Sequence, residues 1–120
     1  VGKLFSVALP LVAALGYDGI VMHYFIVELT YTVSFDALAD TLPEHRQFLQ
    51  AAYDNGAALF SGPQLPRTGG IIVARFPSRQ EIEAFFANDP FQRKGLATYR
   101  FIEFDPVKRQ SLVEGWLTSH

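Results

Sequence analysis

Cysteine is absent from all 120 residues, which removes disulfides, thiolate nucleophiles and cysteine-bound zinc from the chemistry open to this chain. An excess of positive charge is also missing. Ten basic residues face 12 acidic ones, for a net charge of −2, and no block of like charges interrupts the chain. General nucleic-acid binding needs a basic footprint, and attraction to anionic lipid needs a polybasic patch. Neither is present. The longest apolar run, Leu4 to Leu15, is broken by Ser6 and Pro10 and falls short of the roughly 20 residues a membrane span requires. Internal repeats and low-complexity tracts are lacking. His23, His45 and His120 have no ligand spacing, so no metal is expected. Gly69-Gly70 is followed by neither a Walker lysine nor a Gly-x-Gly-x-x-Gly turn, and Ser61 lies in no Gly-x-Ser-x-Gly elbow. A phosphate loop, a nucleotide cofactor and a serine nucleophile are therefore not expected.

Apolar and aromatic residues, by contrast, are plentiful. Hydrophobic residues make up 49% of the chain, with 11 phenylalanines and five tyrosines. A chain of this length suits one domain with a core that needs no covalent staple. Residues 1–21 read differently from the rest. Lys3 followed by a short apolar stretch resembles a secretory signal, but Tyr17-Asp18-Gly19 is a poor cleavage end. The better reading is an appended or start-site extension, with Met22 as a natural start and residues 22–120 as the domain. An apolar segment of this kind is expected to pack on its own domain or on a neighbouring subunit.

From His23 to Tyr31 the residues alternate, with Phe25, Val27 and Leu29 on one face and Tyr24, Ile26 and Glu28 on the other. That period of two predicts a strand. Ser34 to Asp40 reads as a connection or an irregular first turn. Thr41-Leu42-Pro43-Glu44 matches a capping box and opens a helix whose stripe is Leu42, His45, Leu49 and Ala52, stopped at Asn55-Gly56. Ala57–Ser61 and Ile71–Phe76 are predicted strands, joined by a loop that carries Arg67. Ser78-Arg79-Gln80-Glu81 is a second capping box. Ile82, Phe85 and Phe86 form the stripe of its helix, which Asn88-Asp89-Pro90 ends. Thr98–Phe104 is the last strand, and Trp116 and Leu117 make a docking anchor for the tail.

The order strand, helix, strand, strand, helix, strand predicts an α+β ferredoxin-like plait (βαββαβ). Helices then cover one sheet face only. The strands carry apolar residues on both, and exposed apolar area of that size marks an interface. A symmetric homodimer with facing sheets, a dimeric α+β barrel, resolves this.

His45 on the helix stripe and Asp89 in the Asp-Pro-Phe turn are the candidate catalytic pair. An imidazole oriented by a carboxylate exchanges a proton near neutral pH. Each also has an ordinary structural role, as a core histidine bonded to a carbonyl and as a turn-forming aspartate before proline. Arg67 is a candidate for binding an anionic substrate group through its planar fork, or else a solvated loop arginine. Ser61 and Gly62 are candidates at the substrate side, where Gly62 permits close backbone approach; Pro63 marks a turn. Tyr24, Tyr31 and Phe91 either wall a pocket or serve packing.

Leu42-Pro43-Glu44-His45-Arg46-Gln47-Phe48-Leu49, Gly56, Ser61-Gly62-Pro63, Gly69-Gly70, Asp89-Pro90-Phe91 and Gly95-Leu96, with Glu103-Phe104 in the last strand, together resemble the YciI-like (YCII-related) family from about Met22 to Trp116. The resemblance implies the dimeric α+β barrel, a small cytoplasmic protein, and a His–Asp active site carried here by His45 and Asp89. A relative in that family is a dehydrochlorinase of a chlorinated hydroquinone, and the wider superfamily includes muconolactone isomerase and small monooxygenases. By analogy, lyase or isomerase chemistry on a small aromatic or lactone-like metabolite is implied. The alternative is a non-catalytic ligand-binding or regulatory dimer, in which the same pocket holds a metabolite. A purely structural dimer is the third reading.

Overall fold

The computed structural model describes residues 21–118, so most of the N-terminal extension lies outside the described residues. Four strands, β1 (His23–Tyr31), β2 (Ala58–Pro63), β3 (Gly69–Phe76) and β4 (Ala97–Phe104), form one sheet. Their order is β2-β3-β1-β4, and every neighbouring pair is antiparallel. The helices are α1 (Phe35–Leu38), α2 (Leu42–Asp54), α3 (Arg79–Phe86), α4 (Pro90–Arg93) and, after a 3-10 turn at Ser111–Val113, α5 (Glu114–Thr118). This is the ferredoxin-like plait expected from the pattern, with two short helices added at the junctions.

The alternation of β1 divides the sheet into two faces. Phe25, Val27 and Leu29 stand beside Ala74, Ile72 and Gly70 of β3, and beside Glu103, Phe101 and Tyr99 of β4. On this inner face α2 and α3 close a continuous core that includes Leu38, Ala52, Phe76, Ile82, Phe85, Phe86 and Phe91. Burying a large apolar side chain contributes roughly 1.5–3 kcal/mol, so this one cluster dominates stability. Tyr24, Ile26, Val73, Arg75, Ile102 and Phe104 belong to the outer face. There the tail takes up the anchoring role expected of it. The Trp116 ring lies 5.8 Å from that of Tyr24, its indole N–H donates to the Gly56 carbonyl at 2.9 Å, and the Arg75 guanidinium sits 5.3 Å from its centre. Arg75 also donates to the Trp116 carbonyl, and the Tyr24 hydroxyl to that of Leu117.

The two expected capping boxes part company. Ser78 is extended, and its hydroxyl accepts from the Glu81 N–H at 3.1 Å. Thr41 makes no such cap, because its backbone is already helical when α1 hands the chain to α2, and a side-chain cap needs an extended residue at that position. The Thr41 hydroxyl and the Glu44 carboxylate instead both bind Lys94, at 3.1 and 3.2 Å.

β2 carries an irregularity with consequences for the cavity. Ala58 pairs with Ala74, yet Phe60 pairs with the very next residue, Val73. The extra residue, Leu59, reverses the alternation. Phe60 turns outward and Ser61, opposite Ile72, turns to the helix-covered side. At Gly69 a Cβ would lie 1.8 Å from the Leu29 carbonyl oxygen; only glycine lets the start of β3 approach β1 so closely.

Candidate active site

Helix α2 presents its His45 stripe toward the sheet, and the α3–α4 junction brings Asp89 up against it. The His45 Nδ1 lies 2.8 Å from Asp89 Oδ1 and 3.0 Å from Oδ2. Asp89 is wholly buried and His45 nearly so. An ionised carboxylate only accepts, so Nδ1 carries the hydrogen. No hydrogen bond engages Nε2 among the described residues, which leaves it as the basic nitrogen of the ring.

Asp89 bonds to the imidazole and also forms the turn that its sequence context allowed. It caps α4 by accepting from the Phe91 N–H at 3.0 Å, while the Pro90 that follows occupies the helix position where no N–H is required. Its Oδ2 accepts a short bond of 2.5 Å from the Tyr99 hydroxyl on β4. A buried carboxylate needs such donors to offset the water it has lost, and here they are the imidazole, the backbone and the phenol. Burial first, and then the charge of Asp89 and the hydrogen bond to it, push the Tyr99 phenol far above its ordinary range. Tyr99 therefore remains a donor at every working pH. The imidazole lies flat on Phe91, with ring centres 4.0 Å apart and planes within 8°. Phe91 is thus core, and it backs the imidazole without lining the adjacent cavity.

His45 opens onto a cavity of about 190 Å³ lined also by Tyr31, Arg46, Leu49, Ser61, Gly62, Arg67 and Ile71. The candidates Ser61, Gly62 and Arg67 all reach the same space as His45. Asp89 does not line it, sitting one layer behind. The Ser61 hydroxyl is paired with that of Tyr53 at 2.6 Å. A Cβ on Gly62 would meet nothing within 4 Å, so the space beside it is open rather than filled by protein. Arg67 is held against the Phe35 ring, 4.4 Å from its centre. Phe35, Tyr31, Phe91 and His45 then form an unbroken series of ring contacts, which links the arginine to the imidazole. Among the described residues, no carboxylate lines the cavity, and neither Arg46 nor Arg67 forms an ion pair.

Tyr99 and Arg46 escaped the sequence reading. Tyr99 carried one usable signal, as a residue able to donate a hydrogen bond beside Phe101 on the inner face of β4. Arg46 carried none beyond standing next to His45. No group of His, Asp and Glu able to hold a metal occurs among the described residues, and no helix among them is long and apolar enough to cross a membrane.

The model of the YCII-related domain matches residues 22–105. Among solved structures, the chain is similar to the 5-chloro-2-hydroxyhydroquinone dehydrochlorinase of Burkholderia phenoliruptrix AC1100, determined in complex with 2,5-dihydroxybenzoquinone. The identity is 20%, the TM-score 0.58, and the alignment covers 74% of this chain and 97% of that one. At that identity the likeness is one of fold. No curated protein matches the chain.

Proposed function

The chain belongs to the YCII-related domain family, and we propose that it is a small enzyme of the lyase or isomerase type in which His45 transfers a proton and Asp89 orients it. The observation that carries this reading is the division of labour on the imidazole. Nδ1 is held at 2.8 Å by a buried carboxylate, while Nε2 has no hydrogen-bond partner among the described residues and lies beside a cavity. A packing histidine has no need of that asymmetry; a general base does.

The cavity supports a substrate class. About 150 Å³ accommodates a benzene ring, so 190 Å³ suits a single ring with a few substituents. Among the described residues, two arginines and no carboxylate line it, which favours an anionic oxygen on the substrate, with Arg67 and the backbone beside Ser61 and Gly62 as its binding groups. Nε2 takes a proton from a carbon next to a carbonyl or enolic oxygen. The electron pair moves onto that oxygen, where the arginine charge stabilises it. Return of the proton to a different atom completes an isomerisation. Expulsion of an anion from the neighbouring carbon, with the proton released to water, completes an elimination. The dehydrochlorinase of the same fold is consistent with the second course.

The reading includes a homodimer joined through the outer sheet faces, supported by the exposed apolar side chains there, and a cytoplasmic protein with no nucleic-acid or membrane partner. The test is a thermal-shift screen of hydroxylated aromatic acids and lactones, followed by turnover of any stabilising compound. His45→Gln is expected to bind it and to turn over about 10²–10⁴-fold more slowly. Full activity in His45→Gln overturns the reading. Stabilisation without consumption by the native protein assigns the cavity to binding alone.

A further inference from the structure

The proton-transfer reading assigns Asp89 to His45 and leaves Tyr99 unused. Yet the Asp89 carboxylate is shared. Its Oδ1 faces Nδ1 at 2.8 Å and the Phe91 N–H at 3.0 Å, and its Oδ2 faces the Tyr99 hydroxyl at 2.5 Å and Nδ1 at 3.0 Å. Tyr99 comes from β4, a different element from the helix that carries His45. Its ring is wedged against Phe86 and Phe101, with centres 5.9 and 6.4 Å away, so the hydroxyl has little room to swing off. Hydrogen bonds to an ionised group are roughly twice as strong as neutral ones, and each bond the carboxylate accepts draws charge away from the others.

We propose that Tyr99 is a positioning residue which sets the basicity of His45 by holding part of the charge of Asp89. With the phenol in place, the carboxylate orients the imidazole with only part of its charge directed at the ring. Without it, the whole charge of a wholly buried carboxylate falls on His45 and the one backbone N–H. The imidazolium is then favoured. Among the described residues, the other titratable groups around the ring are Arg46 on α2, Arg67 on the β2–β3 loop and Tyr31 on β1, all facing the cavity. The Lys94–Glu44 pair stands outside at the head of α2. None of these touches Asp89, so none substitutes for Tyr99. The proposal rests on His45 acting as the base.

The experiment is a pH titration of the histidine ring nitrogens by NMR, with the His45 signal assigned from its disappearance in His45→Gln. In Tyr99→Phe the His45 midpoint is expected to rise by about half to one pH unit. The acid limb of the rate profile is expected to rise with it. An unmoved or lowered midpoint in folded Tyr99→Phe overturns the proposal, since loss of packing alone leaves the midpoint in place. Should Tyr99→Phe not fold, site-specific 3-fluorotyrosine at position 99 decides. It keeps the hydroxyl, makes it a stronger donor, and is expected to lower the midpoint; no movement overturns the proposal. The ring titration needs no substrate. Its failure is therefore separate from failure of the proton-transfer reading, which full turnover by His45→Gln would reveal.

Discussion

On the helix-covered face of the sheet, Phe25 and Val27 have no exposed area and Leu29 has 2%; on the opposite face Phe60 is 60% exposed and Phe104 40%. The composition of the two faces is not very different, since both are rich in aromatic and branched side chains. Coverage separates them. Among the described residues, two full helices seal the inner face, whereas the outer one has a short tail pinned by Trp116. Coverage also divides the polar chemistry. Where water is excluded, His45, Asp89 and Tyr99 must satisfy one another, and they do so in one geometry. Where water remains, Arg100 and Glu28 face each other at 3.4 Å in a contact worth little. The inner face thus enforces an arrangement and the outer face tolerates many.

Removing the anion from the sealed face tests that contrast most severely. Asp89→Ala leaves the Tyr99 hydroxyl, the Phe91 N–H and Nδ1 without their acceptor. It is expected to cost about 3–5 kcal/mol in urea denaturation; a loss below about 1 kcal/mol means that the buried network does not hold the inner face together. Trp116→Ala is expected to cost about 1–2 kcal/mol, from the indole bond to Gly56 and the contact with Arg75. Turnover should be unchanged, and a parallel fall in activity would show that the two faces are coupled. The smallest effect on a single subunit belongs to Phe60→Ser, within about 0.5 kcal/mol. If the outer faces pair, sedimentation velocity should show the same substitution weakening the dimer; an unaltered dimer would place the contact elsewhere.

The parts of this contrast that depend on local pattern were legible in the sequence. Ile82, Phe85 and Phe86 repeat at helical spacing, and they are buried together. Asp89 before Pro90 announced a turn, and the same geometry that caps α4 also aims its carboxylate at His45. What could not be read is what depends on register or on what comes before. The bulge at Leu59 has no local marker, yet it alone turns Ser61 toward the cavity. Thr41 has the right neighbours for a cap but follows a turn that is already helical. Tyr99 finds its partner only because β4 lies beside β1 in a sheet whose order is set by tertiary contacts.

Trp116 is the one tryptophan of the chain, and it sits where the outer face is closed only in part. Its emission is therefore a built-in optical gauge of that face. Tyr24 lies close enough to pass excitation to the indole, and the Arg75 cation above the ring colours the light it returns. A solute that quenches indole reports on how far the tail has lifted, and on whether another surface has come down over it, without any label being added.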